Sequence, residues 1–138
     1  MYLIDTNVVS EARKGRHSNR GVRAFFRQVV KDETPVYISV VTIGELRRGI
    51  EKIRHRRDFS QADELERWFK SLLESYSDNI IGFDREAAQV WGKLRVPHHE
   101  NALDKQIAAS ALIHDLTIVT RNVDDYKDCG ARLLNPFQ

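Results

Sequence analysis

The chain has 138 residues, of which 41% are hydrophobic and 30% charged, enough to bury one core and too apolar for a disordered segment. Its 22 basic and 20 acidic side chains leave a formal net charge of +2, so only the placement of charge can select a partner. The single cysteine, Cys129, excludes an internal disulfide and fits a reducing compartment. The lack of any long apolar run excludes a membrane-spanning helix, and no leader is expected ahead of residue 2. A soluble cytoplasmic protein is the expectation.

Tyr2-Leu3-Ile4 predicts a short buried strand that stops at Asp5, Thr6 and Asn7. Thr6 is expected to cap a helix carrying Val8, Val9 and Ala12, with Arg13 and Lys14 in its last turn and Gly15 as its stop. A second helix over 21–30 shows a stripe of Val22, Phe25, Phe26 and Val29. Residues 36–40 are β-branched and aromatic and predict a second strand. A helix capped by Ser39 or Thr42 follows, with Ile43, Leu46, Ile50 and Ile53 at helical spacing. After a charged turn over 54–60, a long helix over 61–76 carries Leu65, Phe69, Leu72 and Tyr76. Residues 79–83 predict a third strand, and Asp84 caps a helix bearing Ala87, Ala88, Trp91 and Leu94. Pro97, His98 and His99 form a loop. A helix over 103–114, a strand over 117–119 and a last strand over 131–134 complete the chain. Strands alternating with helices imply a mostly parallel central sheet covered on both faces, a three-layer α/β/α sandwich in one domain spanning 1–138.

Several acids fall where strands end and helices begin. Asp5 follows the first strand. Glu45 lies one turn into the helix after the second strand, about 100° from Leu46 around the axis, with Gly49 at i+4 leaving room. Asp104 opens a helix and shares a face with Ala108 and Ala111, an unusual place for a carboxylate without a partner. Thr120, Arg121, Asn122, Val123, Asp124 and Asp125 follow the fourth strand. In a parallel sheet these points meet at one edge, where ligands bind. Each alone also suits a helix-dipole partner, a salt bridge or an Asx turn. Together, clustered carboxylates cannot all ionise without a cation. Oxygen ligands without Cys suit Mg²⁺ or Mn²⁺, which clamp phosphate oxygens and activate water for in-line attack on a phosphodiester.

The pattern resembles the PIN domain, and more closely the VapC/FitB-type toxins of toxin–antitoxin pairs. The matching stretches are Leu3-Ile4-Asp5-Thr6-Asn7, Thr42-Ile43-Gly44-Glu45-Leu46-Arg47-Arg48-Gly49, and Asp104 with Ile107-Ala108-Ala109. Leu116-Thr117-Ile118-Val119-Thr120-Arg121-Asn122, Asp125-Tyr126 and Leu133-Leu134-Asn135-Pro136-Phe137 complete the set, in order over nearly the whole chain. The resemblance implies a Mg²⁺-dependent ribonuclease that is neutralised by a cognate antitoxin. It also implies a homodimer that joins the antitoxin in a larger complex. It places the metal on Asp5, Glu45 and Asp104, with Thr6 and Asn7 as close supports. The family's fourth acidic position matches Asn122, a departure that leaves Asn122, Asp124 and Asp125 as alternatives.

RNA needs positive charge near the acids. Arg47, Arg48, Lys52, Arg54, His55, Arg56 and Arg57 crowd the stretch after Glu45, and Arg13, Lys14, Arg16 and His17 follow the first helix. Arg47, Arg48 and Arg121 are the candidate RNA-binding residues. His98 and His99 lack a third ligand at zinc-like spacing. Trp91 fits the apolar stripe of its helix, and Cys129 is assigned no role. Two rivals remain open: a phosphohydrolase with Asp5 as nucleophile, for which Asn7 stands where a general acid would be needed, and a non-catalytic module binding a cation or a partner.

Overall fold

The computed structural model describes all residues, Met1–Gln138. Five strands, β1 (Tyr2–Ile4), β2 (Val36–Ser39), β3 (Ile80–Ile81), β4 (Thr117–Val119) and β5 (Leu133–Leu134), form one sheet in the order β3-β2-β1-β4-β5. Every pairing is parallel. Six helices connect them: α1 (Thr6–Ala12), α2 (Arg20–Lys31), α3 (Val40–His55), α4 (Phe59–Ser75), α5 (Arg85–Leu94) and α6 (Ala102–His114). No helix is long and apolar enough to cross a membrane.

Strand alternation builds the three layers. In β1, Leu3 and Ile4 are both fully buried but point to opposite faces, as neighbours in a strand must. Ile4 joins Val8, Val9, Val22, Ile38, Leu46, Ile50, Phe69 and Val119 in one core cluster, under α1 to α4. Leu3 joins Ile107, Ala108, Ala111, Leu116, Ile118 and Tyr126 in the other, under α6. Ile118 and Val119 split between the clusters in the same way. Such strands read as continuous apolar runs because both faces are covered. Residues 107–111 of α6 are all buried, and their small side chains let the helix lie close to the sheet with α5 packed on its outer side.

The structure departs from the sequence expectations mainly at element ends. Asp5, not Thr6, is the N-cap of α1; its carboxylate accepts from Thr6 N. Helix α1 ends at Ala12, so Arg13 and Lys14 lie beyond it, and Gly15, with φ +58°, opens a 3-10 turn, Gly15–His17. Val40 starts α3 rather than ending β2, and Ser39 is the cap, while Thr42 is buried. The charged turn shrinks to residues 56–58 because α3 runs on to His55 and Asp58 caps α4. Strands β3 and β5 have two residues each, since an edge strand pairs on one side only and its outer residues have no ladder to join.

The C-terminal residues fold back on α2. Asn19 caps this helix by accepting from Gly21 N and Val22 N at 2.9 and 3.4 Å, and its amide nitrogen donates to Gln138 O at 2.7 Å. A Cβ on Gly21 would stand 2.1 Å from the Pro136 carbonyl oxygen. Gly21→Ala is therefore expected to lower stability by about 1–3 kcal/mol, read as a lower Tm. An unchanged Tm would mean that the C-terminal residues give way freely.

Candidate functional site

The chain lays down β1, β2 and β3 outward in one direction, then returns to add β4 and β5 on the other side of β1. The order reverses between β1 and β4, and the crevice at their carboxyl ends is where open α/β sheets take ligands. In the β1–β4 register Ile4 is opposite Val119, so the next residues, Asp5 and Thr120, are neighbours at that crevice.

Asp5 is 5% exposed and Thr120 fully buried. Thr120 Oγ1 donates to Asp5 Oδ2 at 2.8 Å, Asn7 Nδ2 donates to the same oxygen at 3.2 Å, and Thr6 N donates to Oδ1 at 2.8 Å. Asn7 Nδ2 also reaches Thr120 Oγ1 at 3.2 Å, and Asn7 Oδ1 accepts from Arg121 N at 3.0 Å. Asn7 thus ties the end of β1 to the turn after β4. Thr6 Oγ1 donates to Glu45 Oε1 at 2.9 Å and lies 3.1 Å from Thr42 Oγ1, which brings the first turn of α3 to the site. Asp104, in the first turn of α6, is half-buried beside Tyr126, whose phenol donates to Asp104 Oδ1 at 3.4 Å.

Asp5, Glu45 and Asp104 therefore lie near enough for their charges to interact. Burial first, then the charges of Asp5, Asp125 and Glu45, push the Asp104 carboxyl up to about 6. Burial and the charges of Asp5 and Asp104 push the Tyr126 phenol far above the usual tyrosine range, so it stays a proton donor. No ion pair reaches the three acids; the paired carboxylates are Glu11, Glu51, Asp63, Glu66, Glu100 and Asp115. Mutually repelling, half-buried carboxylates without a cationic side chain fit a bound cation. No three His, Cys, Asp or Glu side chains form a closed ligand set. A cation there would have to draw the three carboxylates closer or keep water at its remaining positions.

Other sequence candidates separate here. Asn122 is exposed and engages through its backbone: its N donates to Thr120 Oγ1 at 3.0 Å and its carbonyl accepts from Asp125 N at 3.1 Å. Asp125 is the fourth acid whose charge reaches Asp104. The Arg47 guanidinium makes two hydrogen bonds to Glu66, at 2.7 and 2.8 Å, and lies over the Phe69 ring, so its charge is already engaged within the protein. Arg48 is exposed, and Arg121 lies over the Phe137 ring beside the crevice. His98 is exposed and faces Glu100 at 3.5 Å, in a cleft of about 420 Å³ that also includes Lys105, Asp125 and Tyr126. Trp91 Nε1 donates to Ala102 O at 2.9 Å and ties α5 to α6. Sequence reasoning missed the roles of Thr120, Thr42 and Tyr126. For Thr120 the available signal was its position directly after β4, matching that of Asp5 after β1.

The PIN domain family profile matches residues 2–129. Toxin FitB of Neisseria gonorrhoeae is 30% identical over 142 residues, covering 99% of each chain. The VapC ribonuclease Y4jK of Sinorhizobium fredii is 26% identical over 147 residues, covering 100% of this chain and 99% of its own. The crystal structure of FitAcB from Neisseria gonorrhoeae superposes with a TM-score of 0.84 at 30% identity, over 99% of this chain and 98% of that one.

The raised Asp104 carboxyl has a signed consequence for stability. Its folded-state value lies above the ordinary 3.8, so the fold favours the protonated acid, and that contribution is lost as pH rises from about 4 through about 6. Without divalent cations, Asp104→Asn is expected to melt higher than wild type at about pH 7.5, with the difference vanishing near pH 4. Mg²⁺ should raise the Tm of wild type and not that of the variant. A metal-free variant that melts lower at neutral pH would contradict the charge repulsion described here.

Proposed function

This chain belongs to the PIN domain family, on its VapC/FitB toxin branch, and from that premise we propose that it is a toxin ribonuclease neutralised by a cognate antitoxin. The observation that carries the chemistry is the convergence of Asp5, Glu45 and Asp104, unpaired, at the carboxyl edge of the sheet. Asp5, Glu45 and Asp104 would hold a divalent cation, Mg²⁺ or Mn²⁺. Such an ion would supply Lewis-acid polarisation of a phosphoryl oxygen and a lowered pKa for a water, whose hydroxide would be the nucleophile at phosphorus.

The protein's own groups do the rest. Thr6 N, Asn7 and Thr120 fix both Asp5 oxygens, so this ligand needs no reorganisation when substrate arrives. Thr6 steadies Glu45 through its hydroxyl. The Tyr126 phenol donates to Asp104 and orients its carboxylate. Asp125 adds negative charge near Asp104 and is a better candidate for the fourth acidic position than Asn122. An aspartyl nucleophile is poorly served, because Asp5 is buried and both its oxygens accept hydrogen bonds.

The toxin assignment draws on the named relatives, Toxin FitB and a VapC ribonuclease, which match over essentially their whole length. In this proposal the protein acts in the cytoplasm as a homodimer, which its antitoxin joins in a larger complex. The antitoxin closes the acidic crevice.

The test is Mg²⁺-dependent cleavage of bacterial RNA by purified protein. Asp5→Asn and Asp104→Asn are expected to lower the rate by a factor on the order of 100 or more while folding normally by circular dichroism. Folded variants that cleave like wild type would overturn the site. In cells, expression without antitoxin should arrest growth, and Glu45→Gln should relieve the arrest. Unimpaired growth with abundant soluble wild-type protein would count against a toxin.

A further inference from the structure

We propose that one side of α3 is a phosphate track that receives the RNA strand next to the cleaved bond, with Arg48, Lys52 and Arg56 as its contacts. The proposal rests on the ribonuclease assignment above and adds a binding site to it. The basic run after Glu45 divides into two sets when α3 folds. At 100° per residue, Arg48, Lys52 and Arg56 lie within about 60° of Glu45 around the axis, whereas Arg47 and Arg54 lie about 160–180° away. The second set faces α4 and is neutralised there. Arg47 binds Glu66 and Glu51, and Arg54 binds Glu51 at 2.9 Å, Glu66 at 3.4 Å and Asp63 at 3.8 Å.

The first set makes no ion pair. Arg48, Lys52, Arg56 and His55 line one open cleft, whose far edge is Arg54, already held by Glu51 and Glu66. Glu51 also lines it, but its carboxylate is already held by Arg47 and Arg54. The cleft is therefore positive. It begins one turn beyond the metal-site acid Glu45, at Arg48, and runs about 12 Å along the helix to Arg56. Positive side chains in one row, leading from the acids, suit successive phosphates of a single strand.

Gly49 leaves this side of α3 open. It lies between Glu45 and Lys52 on this side of α3, it is exposed, and a Cβ there would meet nothing within 4 Å. A glycine inside a helix is destabilising, and no neighbour in the protein requires the missing side chain. The same open space stands over Gly44 and Gly92, so Gly49 shows only that a strand laid along this side would meet no side chain there.

The experiment measures binding of a short fluorescein-labelled single-stranded RNA to full-length protein carrying Asp104→Asn to hold cleavage off. Replacing Arg48, Lys52 and Arg56 by Gln together should weaken binding about tenfold or more at low salt and make the salt slope shallower by about 2, at roughly 0.7 per lost phosphate contact. Gly49→Gln should raise Tm, by better helix propensity, and yet weaken binding. Arg47→Ala should lower Tm and leave the salt slope unchanged. A triple variant with wild-type affinity and slope overturns the track while leaving the nuclease assignment intact. So does a triple variant that keeps RNA binding but loses the antitoxin, which would make this cleft a protein interface. Wild-type protein that neither binds this RNA nor cleaves bacterial RNA with Mg²⁺ overturns both.

Discussion

The hydrogen bond from Thr120 Oγ1 to Asp5 Oδ2 joins residues 115 positions apart inside the protein. It can form only if β1 and β4 pair in the register that sets Ile4 opposite Val119. A slip of one residue would turn Leu3, Ile4, Ile118 and Val119 to the wrong faces of the sheet. The two core clusters therefore hold the register, and the register holds the acid. Asp5 also caps α1, so the same carboxylate ends a strand, starts a helix and faces the crevice.

Around that bond the protein gathers negative charge that it does not neutralise. Some acids elsewhere are paired, Glu66 with Arg47, Glu51 with Arg47 and Arg54, Asp115 with Arg132, but none of these is buried as Asp5 is. At the crevice the support comes from hydroxyls and amides, Thr6, Asn7, Thr42, Thr120 and Tyr126. These orient carboxylates without cancelling their charge, which leaves the charge for a ligand. Such an arrangement costs stability in the absence of a cation, as functional sites commonly do.

The basic side chains show the opposite economy. Arginines facing α4 spend their charge on the helix pair and stack on its aromatic surface, as Arg47 does on Phe69. Those on the side of Glu45 remain free. Charge sign is a property of composition, but availability is a property of packing, and only the second can attract a phosphate.

Much of the fold was legible because its signals are local. Apolar runs that stop at polar residues marked β1 and β4 to the residue. The 3.6-residue spacing marked all of the main helices, and Asp84 announced its cap, while the choice of Ser39 over Thr42 came from the structure. Asp5, Glu45 and Asp104 stood out because a carboxylate at a strand end or on a packing face needs a reason. The short edge strands blurred, since pairing on one side gives a weak pattern. The sequence by itself determined the layers, the ends of β1 and β4, and the positions of Asp5, Glu45 and Asp104 at strand ends and helix starts, because each depends on neighbours within a few residues. Tertiary structure alone decided that Thr120 and Tyr126 support the site, that Asp125 rather than Asn122 adds charge there, and which arginines are free. Those outcomes depend on partners brought from other strands and helices, and no local pattern encodes a distance between them.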